Sequence, residues 1–204
     1  MARTGLNRTS ATLLHRGEDA NAEGGEYGNA LQAASCKGYE AIVKLLLENG
    51  ADVNAMGGVY GNGLQAALFI GDEAIVILLL ENGAKVNAKG GEYGNTLQAA
   101  SFRSKESIVK LLLENVAGVN TEEGAFGNAL QVASLNDNEA IVELLLKNGA
   151  GVNVEGGRFG NALQAVSFNG NEAIVKLLLK NGAEVNSEGG VWKCTPSSCG
   201  IIFL

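Results

Sequence analysis

Histidine, proline, cysteine and aromatic residues are all scarce in this 204-residue chain, which has one His, one Pro, three Cys and 5% aromatics. The single imidazole, His15, removes most acid–base and metal schemes, because these need two or more such groups. Three scattered cysteines (Cys36, Cys194, Cys199) cannot staple a domain of this length, so a reducing, cytoplasmic setting is expected, the nucleus remaining open. Lys and Arg are also few, 15 against 22 acidic residues. The net charge of -7 argues against a nucleic-acid partner, whose phosphates demand clustered cations. No apolar run approaches the roughly 18–20 residues that cross a bilayer, so no membrane partner is expected. The segment from Met1 to Asn7 lacks the basic-then-apolar order of a secretory signal.

Hydrophobic residues make up 46% of the chain and charged residues 18%, enough apolar content for a packed core. Glycine is abundant, at 29 residues, and falls at fixed intervals. The interval is 33: Asn21 recurs as Asn54, Asn87, Asn120, Asn153 and Asn186. Five complete units run from 21 to 185. Residues 1–20 stand in register with the back half of such a unit and are read as a half-repeat or cap. Residues 186–204 are read as a truncated sixth repeat with a divergent tail, since Trp192-Lys193-Cys194-Thr195-Pro196-Ser197 replaces the expected pattern.

Each unit predicts two short helices. Helix A starts after Asn29, whose side chain can accept from an unpaired first-turn amide. Gln32, three residues on, can close a capping box, and the pair returns as Asn62/Gln65, Asn95/Gln98, Asn128/Gln131 and Asn161/Gln164. Small residues such as Ala33, Ala34 and Ser35 allow a second helix close approach. A turn at Gly38 leads to helix B, Glu40 to Glu48, whose Ile42, Val43, Leu45, Leu46 and Leu47 are too apolar for a solvated helix. Gly50 follows where a left-handed stop is wanted. Neither helix is long enough to stand alone in water, so each unit must be covered by the next, and a solenoid results.

The run from Gly38 to Ala55, GYEAIVKLLLENGADVNA, resembles the ankyrin-repeat signature. The resemblance implies an all-α ankyrin-repeat solenoid of helix–turn–helix units with hairpin loops. One departure stands out: Asn29-Ala30-Leu31-Gln32 replaces the usual Thr-Pro-Leu-His. That variant is similar to the ankyrin arrays of filamentous fungi found at the C-terminal end of NACHT-type receptor-like proteins. The fold implies binding of another protein or a peptide segment on the concave face, lined by hairpin tips and the exposed part of helix A, by a monomeric chain with no cofactor.

Carried over column by column, that face includes the hairpin positions Glu26, Val59, Glu92 and Arg158, with Met56 and Lys89 in a second variable column. At the end of helix A stand Phe69, Phe102, Leu135 and Phe168, in a column opened by Cys36. Ile70 and Arg103 fall in the next column, with Lys37, Asn136 and Asn169. The aromatic column either forms an apolar strip for a partner or packs between neighbouring A helices. The column Tyr27, Tyr60, Tyr93, Phe126, Phe159, Trp192 is nearly constant in type and reads as hairpin packing.

No catalytic constellation emerges. Cys194 and Cys199 lack a second ligand pair for zinc, and the glycine-rich hairpins lack the Lys-Ser/Thr ending of a phosphate loop. Glu40, Glu73, Glu106, Glu139 and Glu172 open the B helices, where the helix dipole favours negative charge. Glu40/Lys44, Glu106/Lys110 and Glu172/Lys176 are spaced for i,i+4 pairs of about 0.3–0.5 kcal/mol each. Val116 occupies the column of Gly50, Gly83, Gly149 and Gly182. A β-branched residue suits a left-handed stop badly, so a rearranged or weakened junction is expected there. The opening inside a half-repeat and the abrupt end suggest a piece of a longer chain. Thr9 and Ser10, polar where Ile42 and Val43 stand one unit on, suggest a true start.

Overall fold

A computed structural model describes residues 19–91, 94–121 and 126–186. Among the described residues, ten helices follow one another in five pairs. The A helices are α1 (Ala30–Cys36), α3 (Gly63–Ile70), α5 (Thr96–Phe102), α7 (Ala129–Leu135) and α9 (Ala162–Asn169). The B helices are α2 (Glu40–Glu48), α4 (Glu73–Glu81), α6 (Glu106–Glu114), α8 (Glu139–Lys147) and α10 (Glu172–Lys180). Among the described residues there are no strands, only isolated bridges such as Gly57–Gly61 and Gly156–Gly160 that close the hairpins. The fold is an ankyrin-type solenoid, all-helical, with its units stacked in chain order.

All five capping boxes form. In α1 the Gln32 amide donates to Asn29 Oδ1 at 2.9 Å and the Asn29 amide donates to Gln32 Oε1 at 2.7 Å. The same reciprocal pair starts α3, α5, α7 and α9. Two orphan donors are thereby satisfied at each buried helix start.

The core is a strip threaded along the row. Leu31, Leu64, Leu97 and Leu130 from the A helices meet Leu46, Leu79, Leu112, Leu145 and Leu178 from the B helices, all buried. Each such leucine contributes about 1.5–3 kcal/mol relative to exposure. In α7, between two neighbours, every residue from Ala129 to Leu135 is buried. A helices pack on one another more closely than B helices do. The row therefore bends toward its A side, making that face concave.

Polar clamps repeat with the core. Asn21 Nδ2 donates to the Gly50 carbonyl at 3.1 Å while its Oδ1 accepts from the Asp52 amide at 2.7 Å. Asn54, Asn87, Asn120 and Asn153 do the same one unit further along. Each asparagine thus ties the loop of its own unit to the end of the next B helix. Of the expected helix pairs, Glu172–Lys176 closes at 2.6 Å on an exposed face; Glu143–Lys147, a pair not among those expected, closes at 3.2 Å.

At Val116 one of the two expected outcomes, a rearranged junction, does not occur. The Val116 φ of 64° is left-handed, as in the glycines of its column. The helix end is not rearranged: the Val116 amide donates to the Leu113 carbonyl at 3.1 Å and the Ala117 amide to the Leu112 carbonyl at 3.0 Å. The Asn87 clamp on the Val116 carbonyl also forms, at 3.1 Å. These three hydrogen bonds outweigh a local cost of about 1–2 kcal/mol for a non-glycine residue in that conformation.

Val116→Gly should raise stability by about 0.5–1 kcal/mol, after the unfolded-state entropy of glycine is subtracted, and the melting midpoint by about 2–4 °C per kcal/mol. Gly149→Val, whose Cβ would meet nothing within 4 Å, should lower it through backbone strain alone. Unchanged midpoints in both would remove the strain argument. Asn120→Ala deletes two hydrogen bonds that tie the loop opening its unit to the end of that unit's B helix, and should cost about 1–2 kcal/mol by urea unfolding.

Candidate interaction surface

The concave side is built by two features of every unit, the hairpin ahead of helix A and the C-terminal end of helix A. The hairpin tips stack. The Val59 amide donates to the Glu26 carbonyl of the preceding tip at 3.2 Å. This contact demands glycine at Gly58, Gly91 and Gly157: their φ values are 60–69°, and a Cβ there would lie 2.2–2.3 Å from backbone of the neighbouring hairpin.

The capping glutamines fix the hairpins to the helices. With its oxygen engaged at Asn29, the Gln32 side-chain amide donates to the carbonyls of Ala55 and Gly61, both at 2.9 Å, in the next unit. Gln65 reaches Ala88 and Gly90, and Gln131 reaches Val154, Gly156 and Gly160. Gln98 donates to Gly127 in the same way.

Aromatic rings line the seam between tip and helix end. Tyr27 stacks on Tyr60 with centroids 6.3 Å apart, and Tyr60 tilts against Phe69 at 4.6 Å. Phe102 meets Phe126 at 5.7 Å and Phe159 meets Phe168 at 6.0 Å. Tyr93 and Trp192, of the same column as Tyr27, lie outside the described residues, as do His15, Cys194 and Cys199. Two cations rest on these rings: Lys37 Nζ lies 5.1 Å from the Tyr27 centroid and Arg103 Cζ 4.9 Å from that of Phe69. A hydrogen bond from the Lys37 ammonium to the Tyr27 hydroxyl holds its pKa above the ordinary lysine value. Burial first, and then a hydrogen bond to the Cys36 thiol, push the Tyr60 hydroxyl up to about 12.

The expected surface residues divide accordingly. Met56 and Val59, at 47% and 48% exposure, and Ile70, at 40%, gather on the second unit. Glu26, Lys89, Arg103 and Arg158 are exposed, and so is Phe168 at 48%. Phe69 and Phe102 are half-buried by the rings beside them. Leu135 is a correction: it is 7% exposed and packs with Phe159, Ala165 and Phe126, so it belongs to the core of the seam rather than to a contact face. Glu92 lies outside the described residues. Packing is thus the role the structure gives Phe69 and Phe102, while Phe168 packs on Phe159 and keeps an exposed face.

Sequence reasoning missed the role of Asn136 and Asn169. Asn136 Nδ2 donates to the Phe102 carbonyl at 2.8 Å, and Asn169 Nδ2 to the Leu135 carbonyl, each closing the end of the preceding A helix. In the sequence the two stand only as members of the variable column of Lys37, Ile70 and Arg103; a side chain reaching into the neighbouring unit leaves no separate trace in composition.

A family model described as ankyrin repeats (3 copies) matches residues 1–90 and 96–189. Among solved structures, the crystal structure of the human ASB11 ankyrin repeat domain is similar to the chain, with a TM-score of 0.77 and 28% identity. The match covers 90% of this chain and 86% of that one. No curated protein matches.

The Tyr60 shift has a testable sign. A hydroxyl whose folded pKa lies above its unfolded value of about 10 adds stability that is complete below pH 10 and is lost as pH rises toward 12. Ultraviolet titration should find one tyrosine ionising near the upper end of that window, absent in Tyr60→Phe. Cys36→Ala should lower it. Tyrosines titrating together near 10 would contradict the seam geometry.

Proposed function

The chain belongs to the ankyrin-repeat family, and on that premise we propose that it is a non-catalytic scaffold that binds a partner protein or extended peptide segment through its concave face. Ankyrin repeats are in general protein-interaction modules. The observation that carries the concave-face reading is the gathering of Met56, Val59 and Ile70 on one unit, exposed beside the aromatic seam. Exposed apolar clusters rimmed by charge favour protein contact. Hairpin positions Glu26, Lys89 and Arg158 would contribute the polar rim, and Phe168 a second apolar point. The reading includes a monomer acting in the cytoplasm, in keeping with the three scattered cysteines of the sequence. The net charge of -7 supports a partner that is neither nucleic acid nor a membrane.

A second reading makes the array the sensor or autoregulatory region of a larger NACHT-type receptor-like protein. It is supported by the Asn-Ala-Leu-Gln boxes, which resemble those of fungal arrays of that kind. The coding sequence on either side separates the two readings.

Because Phe69 and Phe102 also hold the seam, the informative variants are at the exposed positions. Met56→Asp/Ile70→Asp should melt like the wild type yet lose partner binding by at least about tenfold, the effect of one lost anchor contact. Glu48→Lys/Glu81→Lys/Glu114→Lys, on the B-helix side, should leave binding unchanged. Equal binding by the first variant, or loss in the second alone, would move the site off the concave face.

A further inference from the structure

Three consecutive A-helix ends present Lys37, Ile70 and Arg103 in one column. All three side chains are exposed, and the two cations are held on the rings of Tyr27 and Phe69. Ring contact restrains long side chains, so less rotamer freedom is lost when a ligand arrives. Among the described residues neither cation forms an ion pair, although acidic residues outnumber basic ones 22 to 15 in the chain. Two restrained, unpaired cations flanking an exposed isoleucine make a short positive stripe on an acidic protein.

The stripe has an end. The next two members of the column are Asn136 and Asn169, neutral and committed to the Phe102 and Leu135 carbonyls. Recognition by this column is therefore confined to the first three units.

Resting on the concave-face reading, we infer that this stripe receives an extended peptide segment of a partner protein carrying an apolar residue between two carboxylates. Packed helices lie about 8–10 Å apart, and a chain extended as a polyproline II helix advances about 3.1 Å per residue with three residues per turn, so that side chains three apart face the same side. Three residues of peptide therefore span one unit. The matching segment is acidic, then apolar three positions on, then acidic three further on. The Arg103 guanidinium can take one carboxylate in a forked pair, the Lys37 ammonium takes the other as a point charge, and Ile70 meets the apolar side chain. The pattern reads the same in either chain direction.

The probe is a fluorescent heptapeptide, Asp-Ser-Gly-Leu-Ser-Gly-Asp, titrated with the whole chain by anisotropy. It should bind about tenfold or more tightly than a peptide of equal composition with its aspartates adjacent, and weaken with added salt. Lys37→Glu/Arg103→Glu, shown to melt normally, should lose that preference and favour the analogue with lysines at the two acidic positions. Equal affinity for both peptides, no binding, or indifference to the charge reversal overturns the assignment. Selection from a displayed random-peptide library separates this failure from that of the concave-face reading. Binders of other chemistry abolished by Ile70→Asp leave the face standing and remove the stripe, whereas binders indifferent to Ile70→Asp remove both.

Discussion

A buried side-chain amide that serves two units at once is the interaction on which this molecule depends. The Gln32 side chain closes the capping box of its own helix with its oxygen and holds the next hairpin with its nitrogen. A capping residue with only an acceptor could do the first task alone. With both ends of the amide engaged, the polar group is buried without cost, and the start of α1 cannot move without moving the following hairpin. Repeated along the row, the arrangement converts five weak helix pairs into one cooperative object.

Close approach follows from the same constraint. The glutamine reaches the next unit only if the hairpins touch, and they touch only where no Cβ intervenes. The aromatic seam then forms between the tips and the A-helix ends, and it sets which surface residues are available. It covers Leu135, half-covers Phe69 and Phe102, and places Lys37 and Arg103. Positions that look free to vary in the sequence are thus of two kinds. Met56, Val59 and Ile70 project outward, while Asn136 and Asn169 close helix ends.

Val116 illustrates how an array tolerates a poor residue. Stacking energy is distributed over core leucines, asparagine clamps and hairpin contacts on both sides of the junction, so a single strained torsion is carried without a change of path. Ser104 and Asp137, with φ of 53° and 54° in the turn column held elsewhere by glycine, are further cases.

The amino-acid sequence by itself determined the period, the helix bounds at Asn29 and Glu40, the capping boxes and the buried leucines, because each depends on residues within about one helical turn or on a regular repeat. The left-handed stops were legible for the same local reason. Only the tertiary structure decided that Leu135 is covered, that Val116 keeps its neighbours' geometry, and that Lys37 and Arg103 rest on rings ten or more residues away, Tyr27 of a hairpin and Phe69 of the preceding A helix. Those outcomes turn on distances between units, and a distance between units is set by how the whole row bends and packs.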